Sequence, residues 1–378
     1  GSPFVNQETF YGRWVHTMKT ILLRETYDNN IKEIFRLRQL STGQTVFTAS
    51  KFGECDSNIK SLQKPIFAHI RVTSKCNLNC PYCYANDNTN KEDMSDQLLL
   101  ELVDICNQND ILCITWTGGE PLIRKGFYSV VMKAYAHRIK QTILTNGTLL
   151  QKVVEQHWPQ DNIDFQISLN EVWNNRESVK CSVENAEMLI KNGYAVVVTI
   201  MLEPVGIEEY KNLLDYLKEH NIKNVRFGLK IPVGSANQCE FSQYKKGIYL
   251  LVSSLNRLRD LYREDMKISY QFDKKLYDFT GLPCRFIMCE AGTTELYIDN
   301  NGDVYPCPLL KSYSFLYCGN VFDTEWNELW NSPAMQKLRD VQKCKDCSYT
   351  CGTWCRALKL ALDDTLIGKS QFCLKEMI

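Results

Sequence analysis

The chain has 378 residues, enough for about two or three domains around a sizeable core, and its 44 Lys and Arg balance its 44 Asp and Glu to a formal charge of zero. No basic run interleaved with aromatics points to nucleic acid as a partner, and the longest apolar runs, such as residues 195–198, fall far below the roughly 18 residues a membrane span needs. The anomaly is cysteine, with 17 in all and nine after Pro283.

A disulfide framework is the first reading of such density, but no signal peptide is legible and Gly1-Ser2 reads as a cloning remnant. The thiols are therefore expected to serve metals or catalysis in a reducing, anaerobic cytoplasm. In chain order, residues 1–64 form an accessory element without a metal motif, in which 34–40 and 45–50 flank Ser41-Thr42-Gly43-Gln44 as a hairpin. From 65 to 240 strands and helices alternate. Strand-like runs fall at 66–74, 111–117, 141–145, 163–169, 195–202 and 225–231. Helical patterns fall between them at 95–106 with Ser95 as N-cap, 128–138, 149–156, 183–191 and 207–220. Six βα repeats predict an α/β fold with a parallel sheet. A long helix over 242–264 then bridges, within 241–283, to a cysteine-rich region at 284–378.

The motifs sit at strand ends. Directly after the first strand, TSKCNLNCPYCYA places Cys76, Cys80 and Cys83 in one short loop, with Tyr82 before the third thiol. Three thiolates are one short of the four a cubane iron-sulfur cluster takes, which leaves one iron open to a ligand that is not protein. The alternatives are a zinc site, for which His69 is the nearest fourth ligand, and inert buried thiols. At the second strand end, Gly118 and Gly119 allow close backbone approach, and Glu120 with the local carbonyls can accept from an ammonium; an ordinary turn is the plain alternative. Asn146 follows the third strand. Ser168 and Asn170 follow the fourth, where they are equally suited to capping the next segment. Gly234 ends the segment after the last strand.

In the C-terminal region Cys284 and Cys289 precede a hairpin over 294–305 that turns at Asn301-Gly302. Cys307, Cys344, Cys347, Cys351, Cys355 and Cys373 follow. These eight thiols match two fully ligated 4Fe-4S clusters. A zinc ribbon built from Cys344, Cys347, Cys351 and Cys355 is the alternative, and it strands the other four. Cys318, Cys55, Cys106, Cys113, Cys181 and Cys239 read as core or spare thiols.

The Cys76, Cys80, Cys83 loop resembles the signature of the radical S-adenosylmethionine (radical SAM) superfamily, and the C-terminal set resembles the SPASM domain of its peptide and protein maturases. The resemblance implies a partial (β/α)6 TIM-like barrel with an N-terminal β-hairpin extension and a C-terminal iron-sulfur domain. It implies S-adenosylmethionine and three 4Fe-4S clusters, one of which yields a 5'-deoxyadenosyl radical from the cofactor. Cofactor contacts then fall to Tyr82, Gly118, Gly119, Glu120, Asn146, Ser168, Asn170 and Gly234. The first auxiliary cluster falls to Cys284, Cys289, Cys307 and Cys355, and the second to Cys344, Cys347, Cys351 and Cys373. Two departures stand out: Asn170-Glu171 replaces the usual Asp-Gly, and three residues rather than five separate Cys347 from Cys351.

The implied activity is maturation of a ribosomally made precursor peptide, by a thioether or carbon-carbon crosslink, with electrons from a flavodoxin- or ferredoxin-type donor. In such enzymes an N-terminal extension often recognises a leader peptide, which residues 1–64 match in place; covering the barrel's bottom is the alternative. Formylglycine-type sulfatase maturation ranks lower, because Pro308 stands after Cys307 where such relatives carry an aspartate base. A small-molecule radical SAM enzyme and a non-catalytic iron-sulfur or zinc module are the remaining alternatives. No catalytic base can be picked from the sequence.

Overall fold

The computed structural model describes residues 17–28, 31–40, 45–52, 64–85, 92–169, 176–238, 241–270, 289–339, 355–366 and 371. Strands β1 (Thr17–Asp28), β2 (Ile31–Leu40) and β3 (Thr45–Phe52) form an antiparallel sheet in that order. The expected hairpin is β2 with β3, where Gln39 pairs with Thr45. Ahead of it β1 adds a strand the sequence reading did not delimit, because Ile21-Leu22-Leu23 interrupts the period of two by which a half-buried strand is recognised.

The second sheet holds the expected alternation. Its parallel strands are β4 (Phe67–Arg71), β5 (Cys113–Thr117), β6 (Lys140–Thr145), β7 (Ile163–Ser168), β8 (Ala195–Met201) and β9 (Asn224–Gly228), each paired with the next. Between them lie α1 (Asp96–Gln108), α2 (Phe127–Ala136), α3 (Gln151–Glu155), α4 (Arg176–Lys191) and α5 (Ile207–Glu219). Ser95 caps α1 as expected, accepting from the Leu98 N–H at 3.2 Å. The buried Leu99, Leu102, Val103 and Cys106 recur at helical spacing, so the apolar stripe of α1 faces the sheet.

Past β9 the sheet continues further than expected. After α6 (Phe241–Leu261), β10 (Lys267–Tyr270) pairs in parallel with β9. Its four residues are too few to show a period. On the opposite side β11 (Glu295–Ile298) pairs in parallel with β4, then antiparallel with β12 (Asp303–Tyr305), which pairs with β13 (Gly319–Asn320). The β11–β12 turn is the expected one at Asn301-Gly302, with Gly302 at φ 89°.

Alternation along the strands separates two faces. Ala68, Ile70, Ile114, Trp116, Ile143, Phe165, Ile167, Val198 and Ile200 are fully buried in the core. Trp116 meets Phe127 edge-on at 5.8 Å, and Phe127 meets Trp158 at the same distance, the geometry aromatic quadrupoles prefer. The intervening residues His69, Thr115, Thr142, Gln166 and Arg226 are only half-buried and give the barrel a polar inner face. Among the described residues no helix is long and apolar enough to cross a membrane.

Candidate active site

The loop bearing Cys76, Cys80 and Cys83 lies beyond the C-terminal end of β4, the end at which barrel folds gather function. Cys76 is exposed, and Cys80 and Cys83 are half-buried. The Cys83 N–H donates to the Cys80 carbonyl at 3.2 Å, closing the turn between them. Asp93 braces the start of the loop, accepting from the Thr73 hydroxyl at 2.6 Å and the Ser74 N–H at 2.8 Å.

Two glycines after β5 fit against this loop. The Gly119 N–H donates to the Thr73 carbonyl and the Glu120 N–H to the Lys75 carbonyl, each at 2.8 Å. A Cβ on Gly118 would stand 2.7 Å from the Thr73 carbonyl oxygen, and one on Gly119 would overlap the Lys75 carbonyl. Only glycine leaves room there. Glu120 itself is fully buried, and burial pushes its carboxyl above the usual range. Its oxygens accept from the Leu122 N–H at 3.1 Å, the Thr145 hydroxyl at 2.9 Å and the Asn146 N–H at 2.8 Å. The side chain thus ties the end of β5 to the end of β6.

Asn146 reaches the cysteine loop through its side chain, its Nδ2 donating to Asn77 Oδ1 at 2.9 Å, while Asn77 Nδ2 donates to the Thr148 hydroxyl at 2.9 Å. Sequence reading did not single out Asn77 or Thr148; the place of Asn77 beside Cys76 was the available signal. Gly234 closes the site from the segment that follows β9. It sits at φ 62°, and a Cβ there would meet the Cys83 and Tyr84 carbonyl oxygens at 2.5 and 2.9 Å. The Ser235 N–H donates to the Cys83 carbonyl at 3.0 Å. Ser168 ends β7, half-buried; Asn170 lies outside the described residues.

A second group of thiols gathers at the β11–β12 hairpin. Burial, then Glu295, Cys289 and Cys355, push the Cys307 thiol well up, and burial with Cys289 pushes Cys355 up to about 12. Three thiols within one another's electrostatic reach fit a metal cluster, since a bound metal removes the proton that burial otherwise retains. Cys284, Cys344, Cys347, Cys351 and Cys373 lie outside the described residues. Among the described residues no three Cys, His, Asp or Glu side chains converge as a single metal ion requires. A cubane spreads its thiolates over separate iron corners and needs no such convergence.

Buried polar groups join the two regions. Arg71 donates to Asp299 at 3.2 Å and to the Ala85 carbonyl at 2.9 Å, and the Tyr297 hydroxyl donates to Asp299 at 2.8 Å. Deeper in the barrel His69 Nε2 lies 3.3 Å from Glu295 Oε2. Burial holds the His69 imidazole down to about 4 and pushes the Glu295 carboxyl up to about 7.

Two family models match the chain: the radical SAM superfamily over residues 70–234, and SPASM, an iron-sulfur cluster-binding domain, over 289–351. A mycofactocin maturase, MftC of Mycobacterium ulcerans, is 26% identical over 336 residues, covering 83% of this chain and 89% of the relative. The crystal structure of Streptococcus suis SuiB bound to its precursor peptide SuiA has a TM-score of 0.69 at 16% identity, over 83% of this chain and 76% of that one. Native anSMEcpe with bound AdoMet and Kp18Cys peptide has a TM-score of 0.63 at 19% identity, over 83% and 96%.

Proposed function

Because the chain belongs to the radical SAM superfamily, with a SPASM domain behind the barrel, it is an enzyme, and we propose that it matures a ribosomally made precursor peptide by installing a thioether or carbon-carbon crosslink. The observation that carries this reading is the convergence of Gly118, Gly119, Asn146 and Gly234 on the single loop that bears three thiols. Its family implies S-adenosylmethionine and a 4Fe-4S cluster, and the residues present fit them. The loop offers three thiolates and no fourth, and each glycine lets its own backbone pack against that loop where a Cβ would overlap it.

Cys76, Cys80 and Cys83 would hold the cluster. The backbone at Gly118 and Gly119 would take the amino group of the cofactor; Tyr82, Ser168, Asn170 and the backbone near Gly234 would take its other parts. When bound, the group supplies a carbon radical able to abstract a substrate hydrogen. The chain's own part is to orient the two partners and to exclude water and oxygen. Cys284, Cys289, Cys307 and Cys355 would hold one auxiliary cluster and Cys344, Cys347, Cys351 and Cys373 another, with a flavodoxin- or ferredoxin-type protein as donor. The β1–β2–β3 sheet has two edge strands, each suited to adding an extended leader segment. The names of the relatives support a peptide substrate, MftC as a maturase and SuiB as the partner of a precursor.

The test combines enzyme, S-adenosylmethionine, reductant and a candidate precursor under anaerobic conditions. The expected result is 5'-deoxyadenosine with a peptide lighter by one pair of hydrogen atoms. An unchanged peptide mass alongside free 5'-deoxyadenosine would sink the crosslinking assignment.

A further inference from the structure

We infer that Lys230, paired with Glu203, is a positioning residue that acts through Tyr82 on the thiol loop and sets the electrostatic balance beside it. The inference rests on the reading that Cys76, Cys80 and Cys83 hold an iron-sulfur cluster, and it assigns a role to two residues that no motif singles out.

Lys230 follows β9 and turns its side chain toward the loop. Its Nζ lies 4.6 Å from the centroid of the Tyr82 ring and 5.9 Å from that of Tyr244. The same Nζ pairs with the Glu203 carboxylate, and the two side chains are 13% and 19% exposed. A cation so far removed from water holds an aromatic face more firmly than a surface lysine does.

Both members of the pair are anchored in the core. The Lys230 N–H donates to the Tyr244 hydroxyl at 2.8 Å, and Tyr244 lies buried on α6. The Glu203 N–H donates to the Tyr210 hydroxyl, which in turn donates to the Glu203 carbonyl, each at 2.7 Å, and Tyr210 on α5 is fully buried. The bracket therefore runs from α5 and α6 through the ion pair to Tyr82. That ring sits in the chain between Cys80 and Cys83, so fixing it fixes the turn that presents two of the three thiols.

The electrostatic consequence has a sign. Thiolate-ligated iron gains negative charge on reduction, and a nearby cation favours the reduced state while a nearby anion opposes it. With both present the charges offset. Removal of Lys230 leaves the Glu203 carboxylate unbalanced and makes reduction harder; removal of the Glu203 charge leaves the ammonium unbalanced and makes reduction easier.

The experiment is a reductive titration of the full chain, reconstituted anaerobically, following the electron paramagnetic resonance signal that changes on adding S-adenosylmethionine. That response marks the loop's cluster among the others. K230M should lower the reduction equilibrium about tenfold, equivalent to 59 mV for one electron. E203Q should raise it in the opposite sense, and K230R should stay close to the parent. Shifts of the same sign in K230M and E203Q, or no shift in either, would overturn the role of the pair while leaving the loop assignment intact. A parent protein with no signal responsive to S-adenosylmethionine would overturn the loop assignment, and the role of Lys230 with it.

Discussion

At the residue scale the site depends on atoms that are missing as much as on those present. Gly234 holds a left-handed backbone, and a Cβ there would press on the Cys83 carbonyl. We predict that Gly234→Ala costs about 1–2 kcal/mol from backbone strain alone, and that displacement of the Cys83 turn also weakens S-adenosylmethionine binding; thermal denaturation and equilibrium dialysis of reconstituted protein check the two parts. The thiols act differently. On the proposed assignment Cys80→Ala removes one ligand of the loop's cluster, so cofactor cleavage should disappear while iron falls by about a third of the roughly twelve atoms that three clusters would hold. Retained cleavage in Cys80→Ala would refute the loop assignment.

At the scale of elements, β4 carries the loop at its end and takes its neighbours from distant parts of the chain. The Arg71 to Asp299 bond joins β4 to the residue just after β11, both side chains being 3% exposed. Asp299→Ala leaves the guanidinium buried without its carboxylate, and we expect a loss of about 3–5 kcal/mol, seen as a lower urea midpoint. Asp299→Asn keeps a hydrogen-bond acceptor and should lose less. This pair shows where sequence reading stops. The spacing of Cys76, Cys80 and Cys83, the two glycines before Glu120 and the alternation of β4 to β9 are local, and each was legible within a few residues. The partners of Arg71, the bond between Asn77 and Asn146, and the ion pair of Lys230 with Glu203 join residues that only the closed sheet brings together. Glu120 is a mixed case: its place was legible, but its bonds to Thr145 and Asn146, which turn the carboxylate inward, were not.

At the scale of the whole molecule, the barrel interior places an acidic group where water is scarce: Glu295, whose side chain is 12% exposed, is raised to about 7 by burial. A carboxyl whose folded value exceeds its unfolded one contributes stability that is fully present below the unfolded value and is lost as pH rises through the folded one. The thermal midpoint should therefore fall as pH increases from about 4.5 to about 7. Glu295→Gln, which cannot ionise, should flatten that fall and stabilise the protein at pH 8 by about 2–3 kcal/mol. A parallel profile in parent and variant would show that other groups set the dependence.

The pairing of β11 with β4 has a further consequence, for synthesis. The ribosome releases the wall of the vessel from β4 through β10 long before it releases the strand that lines its first edge. Until residue 298 emerges, β4 shows a row of unmet amides and carbonyls beside the very segment that must receive iron and sulfide. Arg71 waits 228 positions for Asp299, a separation that makes closure late and slow. Cells producing this chain should thus lose most of it to aggregation when translation stalls between β10 and β11, and supplying the missing strand in trans should rescue solubility before it restores any chemistry.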